Sequence, residues 1–160
     1  MKEVAVLETP FGWIRLTATA EVLTGIDLLP PGPISTIEGQ GAPRKAPLLA
    51  VACRELLRYF DNPGSGFTLP LVIEGTAYQR RVWSELVRIQ PGNAVSYAEL
   101  AQRLSTGARA VAAACKANRF PIVIPCHRVV SVSGLGGFCG TRAGEMMDIK
   151  RWLLAHEGYL

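Results

Sequence analysis

Histidine is scarce in this chain, and the cysteine spacing typical of zinc sites is missing. Only His127 and His156 occur in 160 residues, and the four cysteines at 53, 115, 126 and 139 form no Cys-x-x-Cys pair. Zinc sites need clustered ligands at short spacing, so no metal and no other cofactor is expected. The first 52 residues hold neither Cys nor His, so no structural zinc is expected there either. Unpaired cysteines fit a reducing compartment better than a disulfide scaffold. No apolar run approaches the ~20 residues of a membrane span, so no membrane partner is expected. Met1-Lys-Glu-Val-Ala-Val6 lacks the apolar centre and small-residue cleavage site of a signal peptide, which points to a cytoplasmic protein.

Apolar residues make up 49% of the sequence, enough to bury a core and to exclude disorder as the default. The net charge of +4 is unevenly placed. Residues 1–80 carry seven Lys/Arg and eight Asp/Glu, net −1, whereas residues 81–160 carry ten and five, net +5. A basic half suits a polyanion such as DNA.

The N-terminal half reads as α/β. Val4–Leu7 and Trp13–Ala18 flank a Pro-x-Gly turn and predict a hairpin, with a third strand at Val22–Leu29. Pro30-Pro-Gly-Pro33 ends it, and the Gly- and Pro-rich stretch to Pro47 reads as a surface loop. Leu48–Phe60 has helical spacing, with Leu49, Cys53, Leu56, Leu57 and Phe60 on one side. Leu69–Ile73 reads as a last strand or an extended linker. A boundary near Glu74-Gly75 divides the chain into domains 1–73 and 74–160.

The C-terminal half reads as mainly helical. Thr76 caps a helix over Ala77–Ile89, with Val82, Leu86 and Ile89 as its stripe and Trp83 alongside. Ser96, with Glu99 three residues on, has capping-box spacing for a short helix over Tyr97–Leu104. Thr106 reads as the cap of an Ala-rich helix over Ala108–Ala117. Two short helices joined by a Gly-bearing turn read as helix-turn-helix.

Ile122-Val-Ile-Pro-Cys-His-Arg-Val-Val130 is the chemical centre of the sequence. An apolar, strand-like run is stopped by Pro125, and a thiol, an imidazole and a guanidinium follow in a row. A thiolate is the strong sulfur nucleophile, and a nearby His or cation favours it.

The same stretch resembles the active-site motif of the O6-alkylguanine-DNA alkyltransferases (methylated-DNA–protein-cysteine methyltransferases). Ser96-Tyr97, Arg109-Ala-Val111, Asn118, Gly136-Gly-Phe138 and Leu154-Ala-His-Glu-Gly158 extend the match. The separations of nine residues from Arg109 to Asn118 and eight from Asn118 to Cys126 agree with it. The resemblance covers roughly residues 76 to 158, and the first 70 more weakly. It implies a ribonuclease-H-like N-terminal scaffold and a winged-helix-like C-terminal domain. It implies single-turnover transfer of the alkyl group of O6-alkylguanine, and of O4-alkylthymine, from double-stranded DNA to Cys126, by a monomer.

The resemblance also implies roles. His127 takes the Cys126 proton through a water, and Glu157 orients His127. Tyr97 donates to guanine N3, and Asn118 braces the loop before Cys126. Arg109 fills the gap left by an extruded base, with Ala110, Ala112, Ala113, Tyr97 and Arg119 at the DNA. Pro121, Cys115, Val129, Phe138 and Cys139 join Tyr97 and Cys126 as pocket wall, and Arg128 pairs ions. The chain departs from the common pattern at three residues, and its loop Ser131–Gly137 is one residue short against some relatives. Arg119 stands for a usual Pro, Ala112 for a frequent Gly, and Cys139 occupies a small-residue position. Disulfide geometry is demanding, so Cys139 is read as a small-residue replacement. The alternatives are a DNA-binding regulator or lesion sensor without transfer, and a thiol hydrolase. Neither accounts for both Cys126 and the Ala-rich helix.

Overall fold

The computed structural model of the protein describes residues 2–33 and 47–160. It is a two-domain α/β fold, a small sheet plus helices, and divides into compact units Met1–Val72 and Ile73–Leu160. Most of the expected Gly- and Pro-rich loop, 34–46, lies outside the described residues.

In the N-terminal unit, β1 (Glu3–Thr9), β2 (Gly12–Ala18) and β3 (Leu23–Leu29) form an antiparallel sheet in that order. The pairing Thr9↔Gly12 closes the hairpin around Pro10-Phe11. Gly12 has φ +141°, and a Cβ there would lie 2.3 Å from the Leu29 carbonyl oxygen, so the turn needs glycine. Alternation buries Ala5, Leu7, Ile14, Leu16, Ile26 and Leu28 on one side. Helix α1 (Pro47–Asp61) packs on β1 and β2.

The buried face of α1 is Leu49, Ala52, Cys53, Leu56 and Tyr59. The expected stripe included Leu57 and Phe60 instead of Tyr59. Leu57 is 46% exposed, and Phe60 is only partly covered, its ring edge-on to Phe11. Tyr59 buries a larger, rigid ring, which rotates the packed face by one position. Glu55 is also buried, and its carboxylate accepts from the Thr68 backbone N and hydroxyl at 2.8 and 2.6 Å. Around residue 71 an isolated parallel bridge to Leu23 stands where a strand or linker was expected.

In the C-terminal unit, α2 (Ala77–Val87) starts at a reciprocal capping box of Thr76 and Gln79 and ends two residues before the expected Ile89. Val82, Trp83 and Leu86 are buried, and the Trp83 indole donates to the Ala114 carbonyl at 2.8 Å. That bond ties α2 to α4 (Ala108–Lys116). Before α4 comes α3 (Tyr97–Arg103), capped by Ser96, whose hydroxyl accepts from Glu99 N at 3.0 Å. The Glu99 carboxylate pairs with Arg103 at 3.4 Å. The cap of α4 is Gly107, not Thr106, and it has no side-chain bond. Gly is accepted at an N-cap because its extended backbone costs little there.

Strand β4 (Val95–Ser96) runs parallel to β5 (Val129–Val130), pairing Val95 with Val129. The last helix, α5 (Glu145–His156), packs against the segment Cys126–Arg128. Among the described residues no helix is long and apolar enough to cross a membrane.

Candidate active site

The expected strand at Ile122–Ile124 does not form; the chain turns there instead, and Ile122 has φ +75°. Three groups make the turn. Pro121 and Pro125 supply no N–H for a ladder. Asn118 Nδ2 donates to the Ile124 carbonyl at 2.8 Å, and its Oδ1 accepts from Phe120 N at 2.9 Å. Ile124 N donates back to the Phe120 carbonyl at 2.8 Å. Pro125 then sits at φ −81°, ψ 67°, and Cys126 N donates to the Ile124 carbonyl at 2.8 Å. These values define an inverse γ-turn. It delivers Cys126 into one turn of 3-10 helix, Cys126–Arg128.

That turn and the end of α5 bury a charged centre. His127 Nε2 lies 2.8 Å from Glu157 Oε2. Arg128 grips both oxygens of the same carboxylate, at 2.8 and 2.9 Å, and donates to the Ile89 carbonyl. Two-point pairing is the strong arrangement for a guanidinium and a carboxylate. Because Arg128 already neutralises Glu157, His127 has no net charge to answer. Burial holds its pKa below the ordinary 6.5, against the pull of Glu157. The neutral ring donates Nε2–H to Glu157, which leaves Nδ1 as a lone-pair acceptor. Nδ1 is buried and has no hydrogen-bond partner among the described protein atoms. Burial likewise raises the Cys126 thiol pKa, with a hydrogen bond from the Asn118 side chain and the charge of Lys150 opposing it.

Lys150 is the residue that the sequence reading missed. It is fully buried, and Nζ donates to the carbonyls of Val129, Leu135 and Gly137 at 2.8, 2.6 and 2.8 Å. Three donors meet three acceptors, which satisfies an ammonium completely. Burial lowers its pKa to about 8, with the Cys126, Cys115 and Cys139 thiols pulling the other way. The signal was present: Met147, Lys150 and Leu154 follow helical spacing, so one charge sits on the apolar stripe of α5, and Glu157 continues that spacing at the C-cap.

An open cavity of about 660 Å³ lies over this centre. Among the expected residues, Tyr97, Arg109, Ala112, Ala113, Cys115, Cys126, Phe138 and Cys139 line it. Pro121 and Val129 are buried outside the lining, and Ala110 is exposed outside it. Arg119 also lies off the cavity, 3.7 Å from Glu74. The Tyr97 hydroxyl is 3.4 Å from the Gly137 carbonyl oxygen, and burial raises its pKa to about 12. Gly136, at φ +73°, lets the loop rest on the Tyr97 ring, where a Cβ would come within 2.8 Å of Cε2. All four cysteines are free thiols. Burial raises Cys115 to about 12, whereas Cys139 is exposed to solvent. Among the described residues no group of His, Cys, Asp and Glu could hold a metal ion.

The family model described as "6-O-methylguanine DNA methyltransferase, DNA binding domain" matches residues 77–159. A mouse relative, a methylated-DNA–protein-cysteine methyltransferase, is 36% identical over 172 residues, spanning 96% of this chain and 80% of its own. The crystal structure of Mycobacterium tuberculosis O6-methylguanine methyltransferase superposes with a TM-score of 0.80 at 31% identity, covering 99% of this chain and 93% of that one. A crystal structure of Mycobacterium tuberculosis OGT in complex with DNA gives a TM-score of 0.75 at 30% identity, covering 98% and 92%.

Proposed function

The chain belongs to the 6-O-methylguanine DNA methyltransferase family, and on that premise we propose that Cys126 accepts the alkyl group of O6-alkylguanine in double-stranded DNA. The activity is methylated-DNA–protein-cysteine methyl transfer, which is direct-reversal DNA repair. The observation that carries the residue assignment is a thiol lining the cavity, adjacent in the chain to a buried His127–Glu157 couple.

An alkylated base inside a duplex must first leave the stack. The exposed small side chains of α4, Ala112 and Ala113 among them, allow close approach to a groove. Arg109 fills the space the base leaves. Burial keeps the Cys126 thiol protonated, so attack requires a base. His127 Nδ1 receives the thiol proton through a bridging water, and the hydrogen bond from Nε2–H to Glu157 orients the ring and favours the resulting imidazolium. The thiolate sulfur attacks the alkyl carbon. A C–S bond forms as the bond to O6 breaks, and the electron pair passes to guanine. Tyr97 donates a hydrogen bond from its hydroxyl to guanine N3 as the electron pair arrives, and its raised pKa keeps that hydroxyl protonated. Asn118 holds the turn that aims the sulfur, and Cys115, Phe138 and Cys139 bound the alkyl group. The product thioether offers no carbonyl for water to attack, so each molecule acts once. O4-alkylthymine is accepted by the same chemistry.

In this reading the N-terminal unit is a ribonuclease-H-like scaffold, the C-terminal unit is winged-helix-like, and the protein acts as a cytoplasmic monomer. A DNA-binding regulator without transfer is not favoured, because the relatives are named for transfer to cysteine and Cys126 is present.

Intact mass after incubation with duplex DNA containing O6-methylguanine tests the assignment. A gain of about 14 Da on Cys126, with a plateau at one per protein and none in Cys126→Ala, is expected. Methyl transfer retained in Cys126→Ala would refute it.

A further inference from the structure

We propose that Arg142, with Lys116 beside it, is a DNA-phosphate contact on the active-site loop, separate from the helix-turn-helix. The inference rests on the cavity being the alkyl-transfer site. Its rim carries three cations, Arg109, Lys116 and Arg142, and no acidic residue lines the cavity. All three are exposed, and no carboxylate pairs with any of them among the described residues.

Arg142 directly follows a tight turn. Phe138 N donates to the Thr141 carbonyl at 2.7 Å, and Thr141 N returns the bond at 3.0 Å. Between them Cys139 and Gly140 have φ +50° and +81°. Two positive φ values in a two-residue connection are the pattern of a type I′ turn, which fixes the direction of its arms. Phe138 anchors one arm in the core. On the other, the Arg142 stem passes 3.7 Å from where a Gly137 Cβ would stand. Its charge is felt at the Tyr97 hydroxyl. Lys116 reaches across from the end of α4, its Cε 3.0 Å from the corresponding point of Gly140. Both stems pass close to glycine positions, and both residues line the cavity.

A base that enters this cavity while still joined to its strand brings a phosphate on each side to the mouth. A guanidinium there pairs with phosphate in a two-point geometry, and an ammonium beside it adds a point charge. Arg109 serves the duplex from the helix. Arg142 and Lys116 would serve the strand that has left it, which is why the contact belongs to the loop and not to α4.

Single-turnover transfer from duplex O6-methylguanine DNA and from free O6-benzylguanine base separates the readings. For Arg142→Ala the ratio of DNA rate to free-base rate is expected to fall about tenfold. The slope of log rate against log salt should flatten by about 0.9, one phosphate contact. Arg142→Lys should recover part of the ratio, and Arg142→Glu should lower it further. An equal loss with both substrates would make Arg142 a wall of the pocket and overturn the proposal. An unchanged ratio would overturn it as well. Failure of the unmodified protein to transfer from either substrate would instead strike the underlying assignment of Cys126.

Discussion

The C-terminal unit treats charge in two opposite ways. At the buried centre each cation is bound by the protein itself: Arg128 by both Glu157 oxygens and the Ile89 carbonyl, Lys150 by three carbonyls. At the cavity rim Arg109, Lys116 and Arg142 are exposed and pair with no carboxylate among the described residues. The residue types are the same, so identity does not separate the two roles. Internal partners do. A buried charge answered by protein acceptors holds geometry, whereas an exposed charge with no carboxylate partner is available to substrate.

The largest effect expected from breaking this division is at Glu157. Glu157→Gln removes the one anion that answers Arg128 and orients His127. Leaving a buried charge without its partner costs about 3–5 kcal/mol. Urea unfolding should show that loss, and alkyl transfer should fall with it. A cost under about 1 kcal/mol would place the buried centre on the same footing as a surface ion pair, and the comparison would fail.

Lys150→Met comes next. Methionine keeps much of the volume and removes all three N–H donors, freeing the carbonyls of Val129, Leu135 and Gly137. Two of those bonds are only partly buried, so water can replace part of the loss. A cost of about 1–3 kcal/mol is expected. The kinetic cost lies toward the upper end of that range, because the loop that carries Phe138 and Cys139 loses its tether. Misplacement by about 1 Å can lower a rate by about 100-fold. Stopped-flow transfer from free O6-benzylguanine reads this directly. A rate within twofold of the unmodified protein would show that the loop holds its shape without the lysine.

Much of this architecture is legible in the residues. The Pro-x-Gly hairpin and the Thr76 cap follow from local chemistry, and the ion-pairing role of Arg128 follows from the family resemblance. Three features are not. The run before Pro125 has strand composition, yet Asn118 takes its carbonyl and makes a turn; a competing side chain six residues upstream overrides local propensity. On α1, Tyr59 and not Leu57 is buried, because the choice depends on which side chain the sheet accepts. The apolar stripe of α5 marks Lys150 as a buried charge, but its role does not show until its three carbonyls, spread from 129 to 137, come together in space. Pairing of this kind is a property of the fold, so sequence marks the candidates and leaves their roles undivided.

Arg119 lies between the two classes and sharpens the line. It is 58% exposed and 3.7 Å from Glu74, itself 70% exposed, so the pair is loose and solvated. Exposed pairs of that kind contribute about 0–1 kcal/mol, since water screens the attraction and two flexible chains must be ordered. Arg119→Ala should therefore change the urea midpoint by the equivalent of no more than about 0.5 kcal/mol. If Arg119 still meets DNA, as its place after Asn118 suggests, a phosphate need displace only this weak partner. The salt slope of DNA binding should then flatten in Arg119→Ala by less than the ~0.9 of a full contact, because Glu74 already neutralises part of the charge. A stability loss above about 1.5 kcal/mol would move Arg119 into the structural class, since only a desolvated pair reaches that size.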